Sequence, residues 1–223
     1  MRRQHLTQLI GILVVATALI GLPSAALAVI TGSAHDFKAN SWSSQEPSYS
    51  GEICAACHTP HNASTTVADA PLWDHEVSVS TGFQMYTSTT LDATLVTAPG
   101  GISLLCLSCH DGTVALDSFG GVTGTTSMAT TADAYFSKDL RNDHPISITY
   151  NAALNTADDG VNDPTTTLSG LGLNIDDDML FGGASDLLEC ASCHDVHNDD
   201  ATTVSLLRIT NEDSALCLTC HNK

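Results

Sequence analysis

The sequence is poor in basic and in aromatic residues. Only 7 of its 223 residues are Lys or Arg, against 25 Asp or Glu, and the formal net charge is -18. A chain this acidic repels phosphate groups, which excludes nucleic acid as a partner. Aromatic residues make up 5% of the chain, so the side chains that dominate large apolar cores are scarce.

Long hydrophobic runs are also lacking, apart from one near the N-terminus between Leu9 and Ile20. Arg2 and Arg3 precede this run, and small residues follow it up to Ala28. This order predicts a signal peptide over residues 1–28, and hence secretion to the periplasm, the outer cell surface or the medium. An uncleaved anchor is the alternative, but a span needs about 20 apolar residues. We therefore expect no membrane span after cleavage.

Cysteine is abundant, and every cysteine belongs to one motif, C-x-x-C-H, which occurs four times. Two thiols three positions apart can each form a thioether with one vinyl group of a porphyrin, and the adjacent His can bind its iron. Zinc sites and thiol redox centres also use C-x-x-C, but neither explains a His at the same offset each time. The motif predicts four covalently attached haem c groups. The predicted thioether residues are Cys54, Cys57, Cys106, Cys109, Cys190, Cys193, Cys217 and Cys220, and the predicted proximal ligands are His58, His110, His194 and His221.

Five histidines remain as candidates for the second axial position of these irons. They are His61, His197, His144, His75 and His35. His61 and His197 each follow a proximal His by three residues, so one residue could hold its own haem while the other caps the adjacent haem. Methionine ligation is a further alternative. A second His closes the iron, whereas an open position can bind or reduce a small molecule. The supply of His therefore predicts an electron carrier, and not an enzyme.

The motifs repeat as two pairs. The first and third share Cys-Ala-x-Cys-His-x-x-His-Asn, and the second and fourth share Ser-x-Leu-Cys-Leu-x-Cys-His. This repeat predicts one tetrahaem domain over residues 29–223, built from two-haem modules at about 29–125 and 126–223.

Ser, Thr, Asp, Asn and Gly dominate the segments between the motifs. They predict a mainly irregular fold with short helices after each motif and few short strands, such as Ile146–Tyr150. A chain this polar is expected to lack a stable apolar core of its own. Four stacked haems would then be the core, and the chain without haem would be largely disordered.

Four segments carry a family resemblance: CHTPHN (57–62), PLWDH (71–75), CLSCHDGT (106–113) and DHPI (143–146). In combination with the doubled motifs, they resemble the small tetrahaem cytochromes of dissimilatory metal-reducing bacteria, of the OmcE-like type. The resemblance implies bis-His ligation at all four haems, a mostly irregular fold and head-to-tail assembly into extracellular filaments with a continuous haem chain. It also implies that a His of one subunit can ligate a haem of the next.

Two features of the sequence bear on that assembly. Only Asn222 and Lys223 follow His221, so we expect the fourth haem to lie near the surface. His35 lies at the other end of the mature chain, and it is our candidate for an inter-subunit ligand.

Three functions remain open at this point. The first is a conductive filament that passes electrons to extracellular acceptors such as metal oxides, with copies of the chain and redox partner cytochromes as partners. The second is a soluble periplasmic shuttle. The third is a small-molecule haem reductase, which requires an open iron.

Overall fold

The computed structural model describes residues 30–39, 52–68, 70–94, 96–184, 186–197 and 206–222. The predicted signal peptide lies outside these ranges. Among the described residues, no helix has the length and apolar character needed to cross a membrane.

Turns, bends and irregular segments make up most of the described fold, which confirms the prediction of a mainly irregular chain with short helices and few short strands. The helices are α1 (Gly101–His110), α2 (Ala152–Ala157), α3 (Ile175–Asp178), α4 (Cys190–Cys193) and α5 (Ala215–Cys220), with 3-10 turns at Phe37–Ala39 and Glu212–Ser214. The strands β1 (Ile148–Thr149) and β2 (Leu187–Leu188) form an antiparallel pair in which Ile148 lies opposite Leu188. Strand β1 lies within the strand predicted over residues 146–150.

The helices stand in a different place from the one predicted. Helices α1, α4 and α5 each contain a cysteine pair and end at or just before the proximal His, whereas we expected helices after each motif. The reason is that the chain leaves the helix to pair elsewhere. His58, His194 and His221 form isolated β-bridges with Trp73, Leu207 and Val161 respectively.

Apolar side chains form three clusters. The large cluster buries Ala93, Ile148, Tyr150, Val161, Ile175, Met179, Leu180, Leu188 and Leu216. The Phe83 cluster buries Phe83, Leu104, Leu107 and Leu140, and the Val67 cluster buries Val67, Ala70 and Leu105. The large cluster is an apolar core that the polar composition did not predict, because apolar residues scattered along the sequence meet there.

Candidate haem sites

Each motif presents its two thiols from a single helical turn. In the first motif, the backbone N–H groups of Cys57 and His58 donate to the carbonyl of Cys54 at 3.1 and 2.8 Å. The other motifs lie in α1, α4 and α5, where residues three apart share a side. All eight cysteines are free thiols. The pairs therefore have the arrangement that two thioether bonds to one porphyrin require.

Backbone carbonyls orient two of the proximal imidazoles. His58 Nδ1 lies 3.0 Å from the carbonyl of Pro71, and His110 Nδ1 lies 2.7 Å from that of Ala134. A carbonyl can only accept, so Nδ1 of each ring is the donor in these contacts. Nε2 is therefore the nitrogen left to bind a metal.

A glycine allows the chain to approach His110. Gly112 has a φ of +72°, and a Cβ at this position would lie 2.4 Å from the ring of Tyr135. Tyr135 directly follows Ala134, whose carbonyl orients His110. The glycine therefore serves the left-handed backbone and the close packing together.

Three of the five additional histidines lie opposite a proximal one. The ring centres are 6.0 Å apart for His58 and His197, 6.0 Å for His110 and His35, and 6.3 Å for His221 and His144. Their interplanar angles are 27°, 48° and 71°. Two imidazoles that bind one metal from opposite sides, with bonds of about 2 Å, have ring centres about 6 Å apart. Rotation about those bonds leaves the interplanar angle free.

The surroundings of His35 do not match the role of inter-subunit ligand that we expected from the sequence. Its ring lies beside His110 of the same chain, and also packs on Phe37 at 5.7 Å. Burial lowers the pKa of His35 to about 4, and the neighbouring His110 and His194 add to this. The ring is therefore neutral, as a metal ligand must be.

The two other candidates have different surroundings. His75 is buried, with Nδ1 2.8 Å from the carbonyl of Glu76 and Nε2 3.1 Å from that of Ala115. Its Nε2 also lies 3.6 Å from Cys109 Sγ, at the second motif. His61 is exposed.

Cysteines of consecutive motifs are neighbours. Burial raises the pKa of Cys109 to about 12, and the adjacent Cys57 adds to this rise because two thiolates repel. Burial likewise raises the pKa of Cys220 to about 11, with Cys193 adding to it. Between these pairs, Cys190 lies beside Cys106 and raises the pKa of its thiol, and the backbone N–H of Cys190 donates to Ser103 Oγ on α1 at 2.9 Å. The motifs therefore adjoin in the order one, two, three, four.

Sequence reasoning missed one residue at this junction. Glu189 is buried between α1 and α4, directly before Cys190. Its sequence signal was an acidic residue that ends the apolar pair Leu187–Leu188 and precedes a motif.

The donor set fits haem c. Within the described ranges, no three His, Cys, Asp or Glu side chains converge as a metal site. Haem needs no such cluster, because the porphyrin occupies four positions and the protein supplies two. Four cysteine pairs provide four attachment points, and the three opposed His pairs provide both axial ligands for three of the four haems.

Comparison with known proteins agrees with this chemistry. Residues 184–223 match the family model described as the doubled CXXCH motif. No curated protein matches the chain. The match and the four motifs support a multihaem c-type cytochrome with covalently bound haem c that takes part in electron transfer.

Proposed function

We propose that the protein carries four haem c groups and passes electrons along them outside the inner membrane. The bound haems would supply the change between ferric and ferrous iron. The polypeptide would fix their spacing, close their axial positions and tune their potentials.

The three opposed His pairs carry this proposal. Each joins a proximal His to an imidazole from another segment at the separation expected across one iron. We assign His197 to the haem at His58, His35 to the haem at His110, and His144 to the haem at His221. His61 is the remaining candidate for the haem at His194, whereas His75 lies beside Cys109 of the second motif.

The order of the cysteines supports a continuous path. The second cysteines of motifs one and two adjoin, as do those of motifs three and four, and the first cysteines of motifs two and three meet. Within each predicted module, the second cysteines of the two motifs are neighbours. Between the modules, the first cysteines are neighbours instead. Adjacent attachment points favour adjacent porphyrins, so an electron could pass through the haems in sequence order.

The two ends of this path favour exchange with partners. Cys54 of the first motif and Cys217 of the fourth are exposed, whereas the cysteines of the two central motifs are partly buried. A head-to-tail contact between such ends does not close on itself and generates a fibre. We therefore propose an extracellular filament of identical subunits that delivers electrons to external acceptors.

The ligand assignment is tested by His144→Ala, with Asp143→Asn as the matched control. Mass spectrometry should find four haems in each protein. The wild type and the control should show only low-spin iron and no response to carbon monoxide, while His144→Ala should convert one haem of four to a high-spin form that binds it. A wild type that binds carbon monoxide would instead favour the reductase.

The filament is tested separately by electron microscopy of the secreted protein. We expect fibres with a regular subunit repeat and haems in contact across each junction. Fully loaded protein that stays monomeric at high concentration would contradict the filament and favour the soluble shuttle.

A further inference from the structure

Glu189 is a buried acid between the two central attachment helices, α1 and α4. Glu189 is 2% exposed, and its backbone N–H donates to Ser192 Oγ at 2.9 Å at the start of α4. Acidic side chains are almost never fully buried unless they are paired, because burial removes the water that solvates their charge. A charge partner for this carboxyl is therefore expected.

Two serine hydroxyls hold one carboxyl oxygen of Glu189. Ser103 and Ser147 both donate to Oε2, the latter at 2.9 Å. The Ser103 hydroxyl accepts from the backbone N–H of Cys190 at 2.9 Å. The Ser147 hydroxyl accepts from that of Gly100 at 3.1 Å. With these N–H groups as donors, both hydroxyl protons point to Glu189, as suits an ionised carboxylate.

Among the described residues, no Lys, Arg or His side chain pairs with this carboxyl. Oε1 is buried and has no hydrogen-bond partner among the described residues, where it lies against Gly101. Burial raises the pKa of Glu189, while hydrogen bonds from Ser103 and Ser147 act in the opposite direction, so a nearby cation would further favour the ionised form.

Haem at the adjoining cysteines would supply that charge. A ferric haem with two neutral His ligands carries one net positive charge on its iron and porphyrin ring, and the ferrous form carries none. Glu189 adjoins both attachment points, since it precedes Cys190, whose thiol lies beside that of Cys106. These two thiols are the titratable groups that face it from α1 and α4.

We infer that Glu189 is the counter-charge of the two central ferric haems and lowers their reduction potentials. The inference rests on the proposed function, because it requires haem at Cys106 and Cys190. A negative charge held near the haem favours the ferric form, whose positive charge it balances. The two central haems would then have the most negative reduction potentials along the path.

Glu189→Gln in the haem-loaded chain tests this by spectroscopic redox titration, because it removes the charge and keeps the shape. At a fixed potential, we expect the ferrous-to-ferric ratio of the affected haems to rise about tenfold, which is about 59 mV for one electron. Asp177→Asn, which removes an exposed carboxylate on α3, should leave the curve unchanged. Ser147→Ala keeps the charge and should shift the curve much less than Glu189→Gln.

Haem counts by mass spectrometry distinguish a failure of the proposed function from a failure of the role of Glu189. A wild type without haem would contradict the proposed function itself. Four haems with a Glu189→Gln curve that overlays the wild type would overturn only the role of Glu189. A Ser147→Ala shift as large as that of Glu189→Gln would also overturn it, because packing would then explain the effect.

A measurement on the wild type covers the case in which Glu189→Gln loses haem. With isotope-labelled glutamate, the infrared difference between oxidised and reduced protein should contain a perturbed Glu carboxylate band. The absence of such a band would overturn the inference.

Discussion

The two predicted modules gather their buried apolar residues differently. Eight of the nine residues of the large cluster lie in residues 126–223, the exception being Ala93. The buried polar residues of the first module are His75, Ser78, Ser103, Ser108, Asp111, Asp117 and Ser118. One large apolar cluster therefore stabilises mainly the second module, whereas the first combines most of the two smaller clusters with more buried polar groups. Two copies of one motif pattern are thus stabilised by different packing in the two modules.

Removal of haem should have the largest effect on the difference between the two modules. A chain produced without haem attachment would lack the eight proposed thioether links and the proposed iron bonds, both of which would constrain the unfolded state. We expect hydrogen exchange to show protection lost throughout the first module and partly kept near the large cluster, at residues 146–188. The haem-loaded chain is the control. Equal protection in both modules would contradict the difference that we draw.

A cavity in the large cluster should have the next largest effect. Ile175 is 0% exposed, and its replacement by Ala should lower the free energy of unfolding by about 2–5 kcal/mol. Leu173→Ala is the control nearby, because Leu173 is 57% exposed and such surface changes cost about 0.5 kcal/mol or less. Denaturant unfolding of the haem-loaded proteins measures both. Equal effects would mean that the cluster does not support the second module.

The sequence predicts the chemistry of this protein better than its path. The C-x-x-C-H spacing reflects covalent chemistry that must be local, so the sequence alone predicts all four proposed attachment sites. Partners such as His197 for His58, or His144 for His221, depend on how distant loops meet, and no local pattern encodes that. The same limit hid the large cluster, whose members are single aliphatic residues among polar ones. It also hid Glu189, whose serine partners are 86 and 42 positions away.

The hydrogen bonds of the first module should give the smallest effect, at Asp117. Its Oδ1 accepts the backbone N–H groups of Thr125 and Thr126 at 2.9 and 2.7 Å, and Gly124 leaves the space for this contact. Burial opposes ionisation, yet these bonds hold the pKa of Asp117 below its usual value. A carboxylate with a lowered pKa stabilises the fold above its unfolded pKa of about 3.9, and this contribution is lost as the pH falls through the folded pKa.

Asp117→Asn should therefore lower the free energy of unfolding by about 1–2 kcal/mol near neutral pH. The difference from the wild type should begin to shrink once the pH falls below about 4, where the carboxyl of the unfolded chain gains its proton, and should be lost as the pH falls through the lower folded pKa. Unfolding at several pH values measures this, with Asp133→Asn as the control at an exposed position. If the Asp117→Asn difference stays constant down to low pH, the lost stability comes from packing. Charge-assisted hydrogen bonds would then not be what distinguishes the first module from the second.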